Sequence, residues 1–180
     1  MEKLSEAGRL YLKDYTILEE ARKDMIRYLN AVVEEANELI NEEIEELAPE
    51  GFRVSTKKVK ASKGKLFIRF ECLEDYKGFR KNKVDISVSY RDIRRTSDLS
   101  DSTFTKIYSN TPKIASDLES KMRSLSEEKF GVDIYKPEYV NLNLDNSSKS
   151  AEEIKENILD KCNKIRKLIN ELIEKENLRN

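Results

Sequence analysis

Histidine is missing from this chain altogether. Its absence removes the commonest general base and the imidazole ligand of most zinc and iron sites. Hydrolase triads built on histidine are excluded, as are the usual zinc catalysts. An enzyme made from these residues would have to use carboxylates with Mg²⁺, or lysine or tyrosine chemistry. Glycine and proline are scarce, 5 and 3 in 180 residues, which argues against a loop-rich or disordered protein. The two cysteines, Cys72 and Cys162, are far apart and at apolar-patterned positions. Such placement reads as buried free thiols rather than a redox or metal pair. No stretch approaches the roughly 18 apolar residues of a membrane span. The opening "MEKLSEAGRL" lacks the apolar core of a secretory signal. The expectation is a cytoplasmic protein with no membrane partner, cofactor or metal.

Charge is what the chain has in excess: 38% of residues are charged, against about 25% in an average domain. That composition suits helices with wide charged faces. The length suits a single domain over 1–180 with a real core, divided into a long acidic helix (1–50), a sheet-containing body (51–145) and a C-terminal helix (150–178).

Residues 2–48 carry a helical apolar pattern. Leu4, Tyr11, Leu18, Met25, Val32 and Leu39 recur every seven, with Ala7, Tyr15, Ala21, Leu29 and Ala36 between them. "TILE" at 16–19 has the form of a capping box, so the segment is either one helix or two meeting near Thr16. Pro49 and Gly51 stop it. Three strands follow: 52–60 with Phe52, Val54 and Thr56 on one face, 65–73 with Leu66, Ile68, Phe70 and Cys72, and 83–91 with Val84, Ile86, Val88 and Tyr90. The polar, hydroxyl-rich 96–110 reads as a loop. Thr111-Pro112 opens a helix with Ile114, Leu118, Met122 and Leu125 on one face. A fourth strand pair, or one strand interrupted at Pro137, comes next in "VDIYKPEYVNLNL", and the proline makes it an edge or a bulged strand. "DNSSKS" reads as a linker, and a second capping box at Ser150–Glu153 opens the last helix, with Ile154, Ile158, Cys162, Ile165, Leu168, Ile169 and Leu172 on its stripe.

The order α-β-β-β-α-β-α implies an α+β fold, a three- to four-stranded antiparallel sheet backed by helices. At 1.5 Å per residue the first helix would span about 68 Å, longer than the body it must cover. Part of its stripe is expected to pair with the last helix as an antiparallel coiled coil. The remainder requires a fold-back near Thr16 or a second subunit, hence a homodimer.

Charge is also segregated. Residues 1–50 carry a net −8, 51–95 a net +9, and 96–180 a net −2. No basic residue lies between Arg27 and Arg53, while Glu34, Glu35, Glu38, Glu42, Glu43, Glu45, Glu46 and Glu50 all fall there. Antiparallel strand order predicts that Arg53, Lys77, Arg80, Lys81 and Lys83 lie beside that acidic end as counter-charges. The other pole gathers Lys57, Lys58, Lys60, Lys63, Lys65, Arg91, Arg94 and Arg95, opposed nearby in sequence only by Asp92. Such a patch draws phosphate through charge and counterion release and suits backbone contacts that position without reading sequence. Aromatic interleaving is sparse (Phe67, with Tyr76 or Phe79), so base stacking on single strands is not expected. Lysines that protect a strand edge from aggregation are the bland counterpart.

The helix-strand-strand-strand-helix order resembles that of double-stranded-RNA-binding domains. Their phosphate-gripping lysine cluster at the start of the second helix is absent from "TPKIASDLESK". With the later strand added, the order is similar to the core of restriction-endonuclease-like nucleases. That likeness would imply Mg²⁺ chemistry on Glu50, Asp75 and Lys77, or on Glu71 and Asp85. Element order is a weak warrant for function. The sequence therefore leads to non-catalytic polyanion binding, nucleic acid first. A protein-protein adaptor or inhibitor using the helical arms or acidic residues 34–50 ranks second, and a nuclease third.

Overall fold

The computed structural model of the chain describes residues 4–58, 65–73, 84–91, 101–109, 112–136, 138–140 and 142–175. It is a mixed helix-and-sheet fold. A helix over Glu6–Asn41 (α1) leads through a 3-10 turn at Ile44–Leu47 into four consecutive strands, Phe52–Lys58 (β1), Lys65–Cys72 (β2), Val84–Arg91 (β3) and Asp101–Ser109 (β4). A helix over Pro112–Phe130 (α2), a short strand Glu138–Val140 (β5) and a helix over Ser147–Lys175 (α3) complete it. The strands form one sheet in sequence order, antiparallel at every junction.

Alternation decides which face of the sheet is covered. Phe52 and Val54 of β1 and Leu66, Ile68, Phe70 and Cys72 of β2 are buried, as the sequence pattern requires. In register, Phe52 pairs with Cys72 and Val54 with Phe70, so these positions share one face. Against them pack Val32, Val33, Ala36 and Ile40 of α1, Leu118, Met122 and Leu125 of α2, and the full stripe of α3 from Ala151 to Ile173, in a single cluster. Cys72 and Cys162 are free and lie within it.

Several elements differ from the sequence-based expectation. Residues 101–109 are not loop but strand, paired with β3 along its whole length. The hydroxyls of "DSTFTKIYS" suggested a loop, yet Thr, Phe, Ile and Tyr are strand formers that fit a half-buried pleated surface. The sheet is accordingly five-stranded rather than three- or four-stranded. The interrupted strand reduces to the three residues of β5. α1 is continuous through Thr16, capped by Ser5, whose Oγ accepts from the Gly8 amide at 3.1 Å. It stops at Asn41 instead of 48, where Glu42, Glu43, Glu45 and Glu46 crowd the negative end of the helix dipole; Gly51, at φ 74°, then takes the turn into β1.

α3 begins a turn earlier than Ser150. Asn146 is its cap, with Oδ1 accepting from the Lys149 amide at 3.2 Å. Ser150 is instead buried within the first turn. Its Oγ accepts from the Asn143 amide at 2.7 Å, donates to the Asn143 carbonyl at 3.0 Å and lies 2.8 Å from Tyr28 Oη of α1. Contacts between α1 with its 3-10 turn and α3 ascend together: Tyr28 meets Ser150, Glu43 meets Lys155, and Glu46 meets Arg166. An antiparallel coiled coil would make them descend. Among the described residues, α1 is seated on the core from Tyr28 onward. Among the described residues, no helix is long and apolar enough to cross a membrane.

Candidate functional site

The basic pole is positioned by strand register. Lys65 of β2 pairs with Arg91 of β3, and Leu66 with Lys58 of β1, so the backbone positions of Lys57, Lys58, Lys65 and Arg91 stand at the same end of the sheet. Lys60, Lys63, Arg94 and Arg95 lie outside the described residues.

Register also orders the cross-strand rows of the sheet. Arg69 is in row with Ser55, Ser87 and Lys106. The next row holds Lys57, Phe67, Ser89 and Phe104, and the end row Lys65, Arg91, Ser102 and Tyr139. Tyr139 is 67% exposed. Reading β4 as a loop left Phe104, Lys106 and this cross-strand order out of view. The signal for them was the alternation of Thr103, Thr105 and Ile107 with Phe104, Lys106 and Tyr108.

At the opposite pole the counter-charges come from a source the sequence did not suggest. Arg53 is engaged by Glu71, its register partner on β2, rather than by the α1 glutamates. Lys77, Arg80, Lys81 and Lys83 lie outside the described residues. Glu43 is instead paired at 2.5 Å with Lys155 of α3, whose basicity is raised by that bond. Arg166, also of α3, donates to the Glu46 carbonyl at 3.0 Å and to Asn163 Oδ1 at 2.8 Å. Glu43, Glu46, Asp160, Asn163 and Arg166 line an open cavity of about 360 Å³. Glu43 is paired with Lys155 and Asp160 with Lys164, and the cavity lies at the joint between the 3-10 turn and α3.

A third polar group ties α2, β5 and α3 together. Arg123 holds Asp133, bonds Glu119 at 3.1 Å and lies 5.0 Å from the centre of the Tyr135 ring. Lys161 has no solvent exposure; its Nζ donates to the Lys136 carbonyl at 3.1 Å and lies 3.7 Å from Glu138 Oε1. Burial lowers the Lys161 pKa, and Glu138 works against that shift. The sequence did carry this clue, since 161 stands three after Ile158 and four before Ile165 on the α3 stripe. Among the described residues no cluster of three or more acidic or cysteine side chains could hold a metal ion. Comparison with protein-family models, with curated proteins and with solved structures finds no significant match.

Proposed function

We propose that this chain is a non-catalytic binder of polyanions, with the nucleic-acid phosphate backbone as its first ligand class. The contacts are assigned to Lys57, Lys58, Lys60, Lys63, Lys65, Arg91, Arg94 and Arg95. The observation that carries the reading is the pairing of Lys65 with Arg91 beside Lys58, which brings two separate basic segments to one end of the sheet. At the other pole Glu43 pairs with Lys155 and the Glu46 carbonyl with Arg166, away from these cations. Phosphate contacts release counterions, and affinity then falls steeply with salt, by about 0.9 log unit per log unit of salt for each neutralised phosphate of duplex DNA. Filter binding to duplex and single-stranded DNA and RNA at two salt concentrations is the test. Replacing Lys57, Lys58, Lys60, Arg94 and Arg95 with neutral residues flattens the slope if the assignment holds. Binding with no salt dependence, or an unchanged slope in that variant, overturns it.

An adaptor or inhibitor working through protein contacts is the second reading, favoured by the exposed apolar residues of α1 between Leu4 and Met25. A Mg²⁺-dependent nuclease is a minor one. Glu71 and Asp85 are register partners, but Glu71 is already engaged by Arg53. Asp75 and Lys77, the other pair, lie outside the described residues. Mg²⁺-dependent cleavage abolished by Asp75→Ala or Asp85→Ala would establish that reading.

A further inference from the structure

The face that seats α1 on the core does not stop where the core stops. Leu29, Val32, Val33, Ala36 and Ile40 are buried. Counting back by threes and fours from Leu29, the same stripe runs through Met25, Ala21, Leu18, Tyr11, Ala7 and Leu4, with Tyr15 on one edge and Leu10 and Ile17 on the other. Its seven large members are all about half exposed, from 45% for Tyr15 to 67% for Ile17. A helix of 36 residues reaches about 54 Å, and about the first 33 Å carries this uncovered stripe.

We propose that residues 4–27 of α1 pair with the same segment of a second copy of the chain, antiparallel, about an axis near residue 16. Area is the first argument. Seven half-exposed large side chains, on the order of 100 Å² each, approach the roughly 800 Å² per partner of a stable interface. Charge is the second. Residues 4–27 hold five acids and five bases, whereas 28–52 hold eight glutamates and no base. The segment can therefore meet its own copy without net repulsion, which the rest of α1 cannot.

Antiparallel order follows from size and sign. About an axis at 16, Tyr11 falls opposite the second copy's Ala21 and Met25 opposite its Ala7, large against small. Lys13 falls opposite Glu19. Parallel pairing would set Tyr11 against Tyr11 and Lys13 against Lys13. Antiparallel helices also place each dipole end beside its opposite. Asp14 interrupts the stripe about half a turn from the axis; a polar residue in such a seam fixes register at some cost in stability. Ile17, next to the axis, comes beside its own copy, while the two Leu4 residues are at opposite ends.

Sedimentation equilibrium on the full chain gives twice the chain mass at micromolar concentration if the pairing forms. Leu18→Glu, at a half-exposed position of each protomer, weakens it by about 100-fold or more, with thermal unfolding of the body unchanged. Under oxidation Ile17→Cys cross-links two chains and Leu4→Cys does not; the native cysteines are buried. A chain that stays monomeric at tens of micromolar, a Leu18→Glu variant as dimeric as the parent, or a Leu4→Cys variant that cross-links as readily as Ile17→Cys each overturns the proposal.

Discussion

Lys161 and Cys162 of α3 and the Tyr135 hydroxyl are withdrawn from water, and each contributes to how stability changes in base. Cys162 and Tyr135 both have their pKa values raised, chiefly by burial. Each keeps its proton in the folded chain after the unfolded chain has lost it. The stability they confer is complete below their ordinary values of 9.0 and 10.0, and it is lost as pH rises beyond those values. Lys161 acts in the opposite sense. Its pKa is lowered by burial, so the unfolded chain binds the extra proton and stability rises with pH up to the ordinary lysine value of 10.5. Above pH 9 the Cys162 thiol therefore pulls the urea midpoint down while Lys161 pulls it up. Cys162→Ala lowers stability at every pH by leaving a cavity, by about 1–2 kcal/mol, yet removes the downward pull above pH 9. Lys161→Met removes the upward one. Denaturation at pH 8, 9 and 10 on the three proteins measures both slopes, and parallel curves would show that neither group titrates differently in the fold.

Among the elements, α3 depends most on a single polar side chain. Ser150 is fully buried and meets the amide and carbonyl of Asn143 and the hydroxyl of Tyr28. Ser150→Ala leaves the Asn143 amide without its acceptor, at a cost of about 1–3 kcal/mol, while Tyr28 keeps its bond to the Asn143 carbonyl. Asn146→Ala removes an exposed cap and costs about 1 kcal/mol. Chemical denaturation of both variants checks the order, and a reversed order would mean that the capping box at 150 governs the helix start after all. That box was what the sequence suggested, and it shows where sequence reasoning ended. Stripes were legible: the buried sets of β1, β2, α2 and α3 follow from the spacing of Phe52, Leu66, Leu118 and Ile154 with their successors. The α2 end at Gly131, with φ 68°, is equally local chemistry. What spacing does not encode is partnership. Ser150 has the composition of a cap, but Asn146 takes that position and frees Ser150 to face Tyr28, 122 residues away. The "DSTFTKIYS" segment looks polar alone and becomes a strand because β3 offers it a ladder. The glutamates of α1 were matched on strand order to Arg53, which instead has Glu71 beside it on β2. Half of the basic pole, Lys57, Lys58, Lys65 and Arg91, follows from alternation and hairpin direction, because antiparallel register is fixed by the apolar pattern.

On the scale of the whole molecule, Glu43 and the Glu46 carbonyl meet α3 at one pole of the sheet, and the backbone positions of Lys57, Lys58, Lys65 and Arg91 stand at the other. The first half of α1 projects without a seat on the core. The two features become coupled if both proposals hold. A dimer through residues 4–27 carries two basic poles, and the second binds a long polyanion at an effective concentration set by the tether, raising avidity by about 10²–10⁴. A short duplex that fills one pole gains nothing from the second. Leu18→Glu is therefore expected to leave both affinity and salt slope unchanged on a short duplex, and to weaken binding to a duplex several times longer by at least about 100-fold. The Lys57, Lys58, Lys60, Arg94, Arg95 variant loses affinity on both lengths. Titrating the two variants against two duplex lengths separates the contributions. Equal loss for Leu18→Glu on both lengths would place the start of α1 in the binding surface itself, and no loss on either would mean that two poles cannot engage one strand.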